Sequence, residues 1–101
     1  MTKGYWIARI DVDDAQAYER YRSMNGTAFA AFGGRFLVRG PAGKVVKGQA
    51  RQHNVVIEFQ SYAQALACFN SPEYQAAMAH LVQVGPADLV IIEGYDGPQP
   101  S

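Results

Sequence analysis

The sequence predicts an α+β fold of the ferredoxin-like type, a split βαβ sandwich with helices on one face of a four-stranded antiparallel sheet. Hydrophobic periodicity follows the order strand, helix, strand twice along the chain. The length of 101 residues is that of one domain, expected over residues 1–97 with a frayed tail at 98–101. Right-handed crossovers then require the strand order 4-1-3-2.

The first half of the chain carries a strand, a helix and a strand. Residues 4–11 (GYWIARID) are rich in aromatic and β-branched residues, which is typical of a strand. Asp13, with a glutamine three residues later, forms a capping-box pattern that predicts the start of a helix. Apolar residues recur at helical spacing over 14–32, and Arg22 is expected to point away from them. A second strand is predicted over residues 34–39.

The second half repeats this order with the helical part divided in two. Residues 54–59 (NVVIEF) predict a strand, and Ser61 begins another capping box. Ser71 caps a further helix, with Pro72 at its first position, where no amide donor is needed. The last strand is predicted over residues 88–95 (DLVIIEGY).

Composition excludes several classes of protein. Nine basic and nine acidic residues leave no net charge, which argues against a general nucleic-acid binder, because phosphate neutralisation needs a cationic surface. No apolar run is long enough for a signal peptide or a membrane span. The single cysteine, Cys68, fits a reducing compartment, so a cytoplasmic location is expected. His53 and His80 show no metal-ligand spacing, and no motif for a cofactor is present; neither metal nor cofactor is predicted.

Alternation along the strands divides the side chains of the sheet into two sets. The uncharged set is expected under the helices: Trp6, Ala8, Ile10, Phe36, Val38, Val55, Ile57, Phe59, Val90 and Ile92. The second set mixes apolar and charged residues: Tyr5, Ile7, Arg9, Arg35, Leu37, Arg39, Asn54, Val56, Glu58, Leu89, Ile91 and Glu93. A monomer would expose a large apolar patch on the second face. We therefore expect a homodimer that pairs these faces across a two-fold axis.

Charges on this second face suggest a binding site. Arg9 and Arg39 are expected at the sheet end where Asn54 begins its strand, beside His53. In one interpretation the arginines pair with glutamates and fix the geometry of the dimer. In the other, an unpaired arginine and Asn54 or His53 hold a small carboxylate. A β-bulge would change the assignment of faces and with it both interpretations.

The same face offers candidate bases. Glu58 and Glu93 are expected together at the opposite end, where a carboxylate on a partly apolar surface suits a general base; the alternative is a pair between Glu58 and Arg35. His53 is a candidate proton carrier near neutral pH, the alternative being a surface histidine. Tyr74, which follows the start of the last helix, is a candidate to reach the cleft between helix and sheet, the alternative being an amphipathic residue at the edge of the core.

Four segments carry a resemblance to a known family: GYWIARIDVDDAQAYERY, FGGRFLVRG, NVVIEFQSYAQALACFNSPEYQAA and ADLVIIEGYDG. Together they resemble the bacterial domain-of-unknown-function family numbered thirteen-thirty (DUF1330) over nearly the whole chain. The resemblance implies a subunit of the dimeric α+β barrel superfamily, which includes cofactor-independent monooxygenases, muconolactone isomerases and haem-degrading or haem-binding proteins. It implies no activity, since fold kinship does not transfer a reaction. The pocket residues it implies are Arg39, Asn54, Glu58 and Tyr74.

Two functional hypotheses follow. The first is a homodimer with one small-molecule pocket per subunit for an acidic or aromatic organic compound. Its chemistry would be cofactor-free proton transfer or oxygenation, with Glu58 or His53 as base and Arg9 or Arg39 orienting the substrate. The second is a non-catalytic binding or stress-associated dimer in which the charges on the sheet are structural.

Overall fold

The computed structural model describes residues 2–101, so the first residue of the predicted domain lies outside the described part. Seven elements follow one another in the predicted order. They are β1 (Gly4–Ile10), α1 (Ala15–Ala31), β2 (Arg35–Pro41), β3 (His53–Phe59), α2 (Tyr62–Asn70), α3 (Pro72–Leu81) and β4 (Ala87–Glu93).

Short polar side chains begin the helices. Ser61 and Ser71 each accept a hydrogen bond from the backbone N–H three residues later, as the sequence predicts. The predicted cap of α1 at Asp13 is wrong: Asp14 accepts the equivalent bond, at 3.0 Å. Gln16 favoured Asp13 in the sequence, but the side chain of either aspartate can accept a free N–H of the first helical turn, and the glutamine did not decide between them. Gly33, with φ at +74°, ends α1 in the left-handed region that favours glycine.

All strand pairs are antiparallel, and the sheet has the order β2-β3-β1-β4. This is the predicted order read from the other edge, which confirms the ferredoxin-like fold. Helix α1 packs chiefly against α3, while α2 packs across β1, β3 and β4. Within residues 2–101 no helix combines the length and the apolar character needed to cross a membrane.

Trp6 of β1 occupies the centre of the core. Only 1% of its surface is exposed, and its Nε1–H donates to the backbone carbonyl of Ala65 at 2.9 Å. Its ring meets Phe29 and Tyr74 edge to face, with centroids 5.1 and 4.8 Å away. Phe29 belongs to α1, Ala65 to α2 and Tyr74 to α3. Trp6 therefore joins β1 to each helix of the fold.

Strands β1 and β3 confirm the two predicted faces of the sheet. Residues directly opposite each other in an antiparallel pair point to the same side. Trp6 pairs with Ile57, and both are buried beneath the helices on what we call the covered face. Ile7 pairs with Val56 on the other side, the open face, where Ile7 is 37% exposed.

The side chains of β4 lie on the opposite faces of the sheet from those predicted. Ile91 pairs with Trp6 and Val90 with Ile7, so Ile91 lies on the covered face and Val90 on the open face. By the same register, Leu89 also lies on the covered face and Ile92 on the open face. The prediction failed because residues 89–92 are all apolar, and an unbroken apolar run carries no information about which residues face the core.

Strand β2 contains a β-bulge that moves Arg39 to the covered face. Phe36 pairs with Ile57 and Val38 with the neighbouring Val56, so Leu37 is an inserted residue. Beyond the bulge Arg39 pairs with Val55, beneath α1. The predicted positions of Val38 on the covered face and Arg39 on the open face are therefore wrong.

Candidate functional site

A pocket lies between α1 and the part of the covered face formed by β1, β2 and β3. Its deep part, the inner cavity, has a volume of about 30 Å³. Aromatic and aliphatic side chains make up most of its wall: Trp6, Ala8, Ile10, Tyr18, Tyr21, Phe29, Phe36, Val55 and Ile57. A wider cleft of about 370 Å³, the mouth, adjoins it and shares Tyr18, Arg22 and Arg39 with it. Buried apolar walls that meet a few polar groups are typical of small-molecule sites.

Two arginines stand at the mouth without a carboxylate partner among residues 2–101. Arg39 comes from β2, and its Cζ lies 4.5 Å from the centroid of the Phe36 ring. Arg22 comes from α1, with its Cζ 5.6 Å from the Tyr18 ring. Stacking on aromatic rings orients a guanidinium while its N–H groups stay free to donate. The mouth is therefore a positively charged opening to an aromatic cavity.

His53 lies at the same mouth. It is the first residue of β3 and pairs with Ile10 on the covered face. Its half-buried ring lies 5.1 Å from the ring of Tyr18, measured between centroids. Of the predicted site residues, the structure thus brings together His53 and Arg39.

The inner end of the pocket holds a pair of tyrosine hydroxyls. The hydroxyl oxygens of Tyr21 and Tyr74 are 2.8 Å apart. Burial raises the pKa of both tyrosines, so both remain protonated at neutral pH. Tyr21 lines the inner cavity, whereas Tyr74 is fully buried behind it. The predicted site residue Tyr74 reaches the pocket only through Tyr21.

Arg9 and Asn54 lie on the open face, separated from Arg39 by the sheet. They are opposite each other in the β1–β3 pair. The Asn54 side-chain amide donates to the backbone carbonyl of Arg51 at 3.2 Å, and Arg9 lies opposite Asp88 of β4. The predicted cluster of Arg9, Arg39 and Asn54 is therefore not formed.

Glu58 also belongs to the open face. Its carboxylate accepts a hydrogen bond from the Tyr5 hydroxyl at 3.0 Å and lies 3.5 Å from Nε of Arg35. The hydrogen bond raises the pKa of Tyr5. The structure thus contains the pair with Arg35 that sequence reasoning gave as the alternative to a free base.

Glu93 does not share a face with Glu58, contrary to the prediction. Across β1, Glu58 is opposite Tyr5 and Glu93 is opposite the neighbouring Gly4, which places the two glutamates on different sides of the sheet. Glu93 accepts a hydrogen bond from the Thr2 hydroxyl at 2.9 Å. The inverted orientation of β4 accounts for the error.

Cys68 is a packing residue, as its place among apolar residues of α2 suggests. It is fully buried, and its Sγ lies 3.6 Å from the backbone carbonyl oxygen of Ala28. Burial raises the pKa of its thiol to about 11, so the reactive thiolate is scarce at neutral pH. In the described part of the chain, no His, Cys, Asp or Glu side chains are grouped as metal ligands.

Sequence reasoning missed the contribution of α1. The prediction that Arg22 points away from the apolar residues is wrong, since Arg22 lines the pocket together with Tyr18, Tyr21 and Asn25. These residues recur at helical spacing and so share one side of α1. A buried asparagine among them is the feature that could have marked this side as a site.

The sequence matches the model of the family described as "Domain of unknown function (DUF1330)" over residues 3–95. The chain belongs to DUF1330. A comparison of this DUF1330 chain with curated proteins gives no match.

Solved structures similar to this DUF1330 chain share its fold. The RPA0582 protein of unknown function from Rhodopseudomonas palustris is 19% identical, with a TM-score of 0.73 over 95% of this chain and 85% of that one. A dimeric ferredoxin-like protein of unknown function from Jannaschia sp. CCS1 is 15% identical, with a TM-score of 0.64 over 89% and 97%. SnoaB, a cofactor-independent oxygenase from Streptomyces nogalater, is 13% identical, with a TM-score of 0.64 over 99% and 97%.

Proposed function

We propose that this protein is a homodimer that binds a small aromatic carboxylate in the pocket of each subunit. The observation that supports it most is the mouth, where Arg22 and Arg39 lack carboxylate partners within residues 2–101 and stand beside an aromatic cavity. A guanidinium binds a carboxylate through two parallel hydrogen bonds. The aromatic wall supplies contacts for the ring of such a ligand.

The open face supports the homodimer. Ile7, Val38, Val90 and Ile92 are each between 37% and 51% exposed there and form an apolar surface with the half-buried Val56. Soluble monomers seldom expose such a surface. The Jannaschia protein with the same fold is described as dimeric. A second copy of this chain, related by a two-fold axis, would cover the open face without touching the mouth on the other side of the sheet.

Cofactor-free proton transfer or oxygenation is a second candidate function, and His53 is the observation that favours it. As neutral imidazole beside the ligand carboxylate, it would take a proton from a bound phenol or carbon acid. Arg39 at the same mouth would stabilise the negative charge that develops. Support also comes from SnoaB, a cofactor-independent oxygenase with this fold. Glu58 is not proposed as the base, because it lies on the open face and is paired.

Titration calorimetry with benzoate tests the binding proposal. We expect benzoate to bind and benzyl alcohol to bind at least about tenfold more weakly. Arg39→Gln and Arg22→Gln should each lower the affinity for benzoate by about tenfold. Arg20→Gln is the matched control. It makes the same charge change on α1, but two helix positions from Arg22 place it on the opposite side. Equal affinity in all four proteins, or no binding of benzoate, would overturn the proposal.

Light scattering of Arg39→Gln separates this proposal from a dimer whose charges are structural. Because Arg39 lies on the covered face, we expect the variant to remain dimeric while its affinity for benzoate falls. Dissociation of the dimer in this variant would instead support the structural role.

The second candidate function is tested with His53→Gln. This variant should still bind benzoate but no longer turn over a phenolic substrate under air.

A further inference from the structure

The inner cavity is lined by a buried amide that keeps hydrogen-bonding capacity beyond its bond to Tyr21. Asn25 of α1 is 8% exposed and lines this cavity. Its side-chain amide hydrogen-bonds the Tyr21 hydroxyl and so opposes the rise in the pKa of Tyr21 that burial causes. An amide carries two donor hydrogens and an acceptor oxygen with two lone pairs. One bond to Tyr21 therefore leaves Asn25 able to form a further hydrogen bond with whatever occupies the cavity.

The tyrosine pair supplies a second donor in the same place. Two hydroxyls 2.8 Å apart hold two protons, and only one proton can lie between their oxygens. If Tyr21 donated to Tyr74, the Tyr74 proton would be buried without an acceptor, at a cost of about 1–3 kcal/mol. If Tyr74 donates, the Tyr21 proton is not held between the two hydroxyls and can go to Asn25 or to an occupant of the cavity that Tyr21 and Asn25 both line. The second arrangement is the favourable one, and it makes Tyr21 a donor to the pocket.

The size of the cavity limits what these groups can bind. Its volume of about 30 Å³ is that of one water molecule or one oxygen-bearing substituent, too small for a ring. The mouth, at about 370 Å³, is large enough for a ring with its carboxylate. A ligand held by Arg22 and Arg39 at the mouth would therefore present only a substituent to Tyr21 and Asn25.

We propose that Tyr21 and Asn25 form a specificity site for a hydroxyl or carbonyl oxygen on the ring of the bound acid. The natural ligand is then a hydroxy- or oxo-substituted aromatic carboxylate rather than a plain one. This inference rests on the proposed function, because the arginines must place the ring. A site that hydrogen-bonds a substituent discriminates strongly against an analogue that lacks it, since its polar groups are then left unpaired.

Calorimetry with the three hydroxybenzoate isomers tests this site. Each isomer is compared with the methylbenzoate of the same substitution, which has a similar shape and cannot hydrogen-bond. We expect at least one isomer to bind about tenfold or more tightly than its methyl counterpart. The inference is overturned if every isomer binds within about twofold of its counterpart.

Two phenylalanine variants form a matched pair. Tyr21→Phe and Tyr74→Phe remove the same hydrogen bond from the core, but only Tyr21 lines the cavity. We expect the preference for the hydroxybenzoate to disappear in Tyr21→Phe and to persist in Tyr74→Phe. Persistence in both variants would contradict the role of Tyr21. Loss in both would mean that the preference depends on the bond between the two hydroxyls rather than on donation by Tyr21, and would also contradict the inference.

In Asn25→Leu the leucine side chain has nearly the shape of asparagine but no amide. We expect this variant to lose the preference for the hydroxybenzoate too.

Failure of this inference is distinguishable from failure of the proposed function. If benzoate binds and depends on Arg39, but hydroxyl groups bring no gain, only the specificity site is wrong. If no benzoate binds at all, the proposed function is wrong as well.

Discussion

The two faces of the sheet are built from similar side chains and differ in what covers them. On the covered face Trp6, Ile57 and Phe59 are each 1% exposed, because the helices of the same chain pack on them. On the open face Val90 and Ile92 remain about half exposed. The comparison teaches that one sheet can line a pocket on one side and expose an apolar surface on the other. A substitution on one face can then leave the other face unchanged.

The charges on the two faces differ in the same way. On the open face some are paired, Glu58 with Arg35 and Asp88 with Arg51, whereas Arg9 has no ion pair in residues 2–101. On the covered face Arg39 stacks on an aromatic ring. Neither Arg9 nor Arg39 thus forms the pair with a glutamate that one interpretation of the sequence required, and only Arg39 lies beside the pocket.

The largest effect should come from the covered face. Trp6→Ala removes a fully buried indole and leaves the Ala65 carbonyl without its donor. We expect the free energy of unfolding to fall by about 3–5 kcal/mol. Ile92→Ala on the open face should cost less in the monomer, since half of that side chain is already exposed. Urea unfolding at one fixed protein concentration measures both. Equal losses would contradict the distinction between the faces.

The next effect concerns association through the open face. Val90→Asp places a charge on the apolar surface that a second copy would cover, so we expect the dimer dissociation constant to rise by about a hundredfold, which is about 2.7 kcal/mol. Val82→Asp is the matched control, a valine on the helical side that is 74% exposed. Sedimentation equilibrium measures the dissociation constant, and circular dichroism checks the fold. An unchanged dissociation constant in Val90→Asp would exclude this face as the interface.

How far the sequence predicts this fold depends on how different the two faces are. On β1 aromatic and charged residues interrupt the aliphatic ones, and the predicted faces of Tyr5, Trp6 and Arg9 are correct. On β4 four apolar residues follow one another, and the predicted faces were inverted. Apolar residues on both faces are what a sheet needs when a second copy covers one of them. The apolar residues that the proposed dimer would cover therefore also remove the alternation that would reveal which residues face the core.

The same reasoning explains which part of the site was predictable. His53 was placed beside the site because it begins a strand whose position follows from topology. The side of Arg39 depended on the bulge at Leu37, inside the apolar run FLV, and no local pattern shows a bulge there. Asn25 and Arg22 were missed because a site between helix and sheet depends on how the helix is rotated, which periodicity defines only approximately.

A smaller effect should come from the helical layer that covers the sheet. The Ser71 hydroxyl accepts from the Tyr74 backbone N–H and donates to the Cys68 carbonyl at 2.7 Å, in a buried position. We expect Ser71→Ala to lower stability by about 1–2 kcal/mol. Ser61→Ala, at a more exposed cap, should cost about half as much. Thermal unfolding of the two variants compares them, and a larger loss at Ser61 would contradict the importance of burial at Ser71.

The smallest effect is the response to acid of the ion pairs beside the open face. The Gln52 backbone N–H, with Arg51, lowers the pKa of Asp11, and Arg51 lowers the pKa of Asp88. A carboxylate whose pKa is lower in the folded state stabilises the fold above its unfolded pKa, and this contribution is lost as pH falls through the folded value.

We therefore expect urea midpoints to fall between about pH 5 and pH 2, and to fall less steeply in Arg51→Gln. Lys47→Gln makes the same charge change in the same loop and should follow the wild type, since Lys47 has no ion pair in the described chain. The difference should be small because these pairs are accessible to solvent. If Arg51→Gln and Lys47→Gln had the same acid dependence, general charge repulsion rather than the two specific pairs would account for it, and the open face would have no fixed ion pairs at that end.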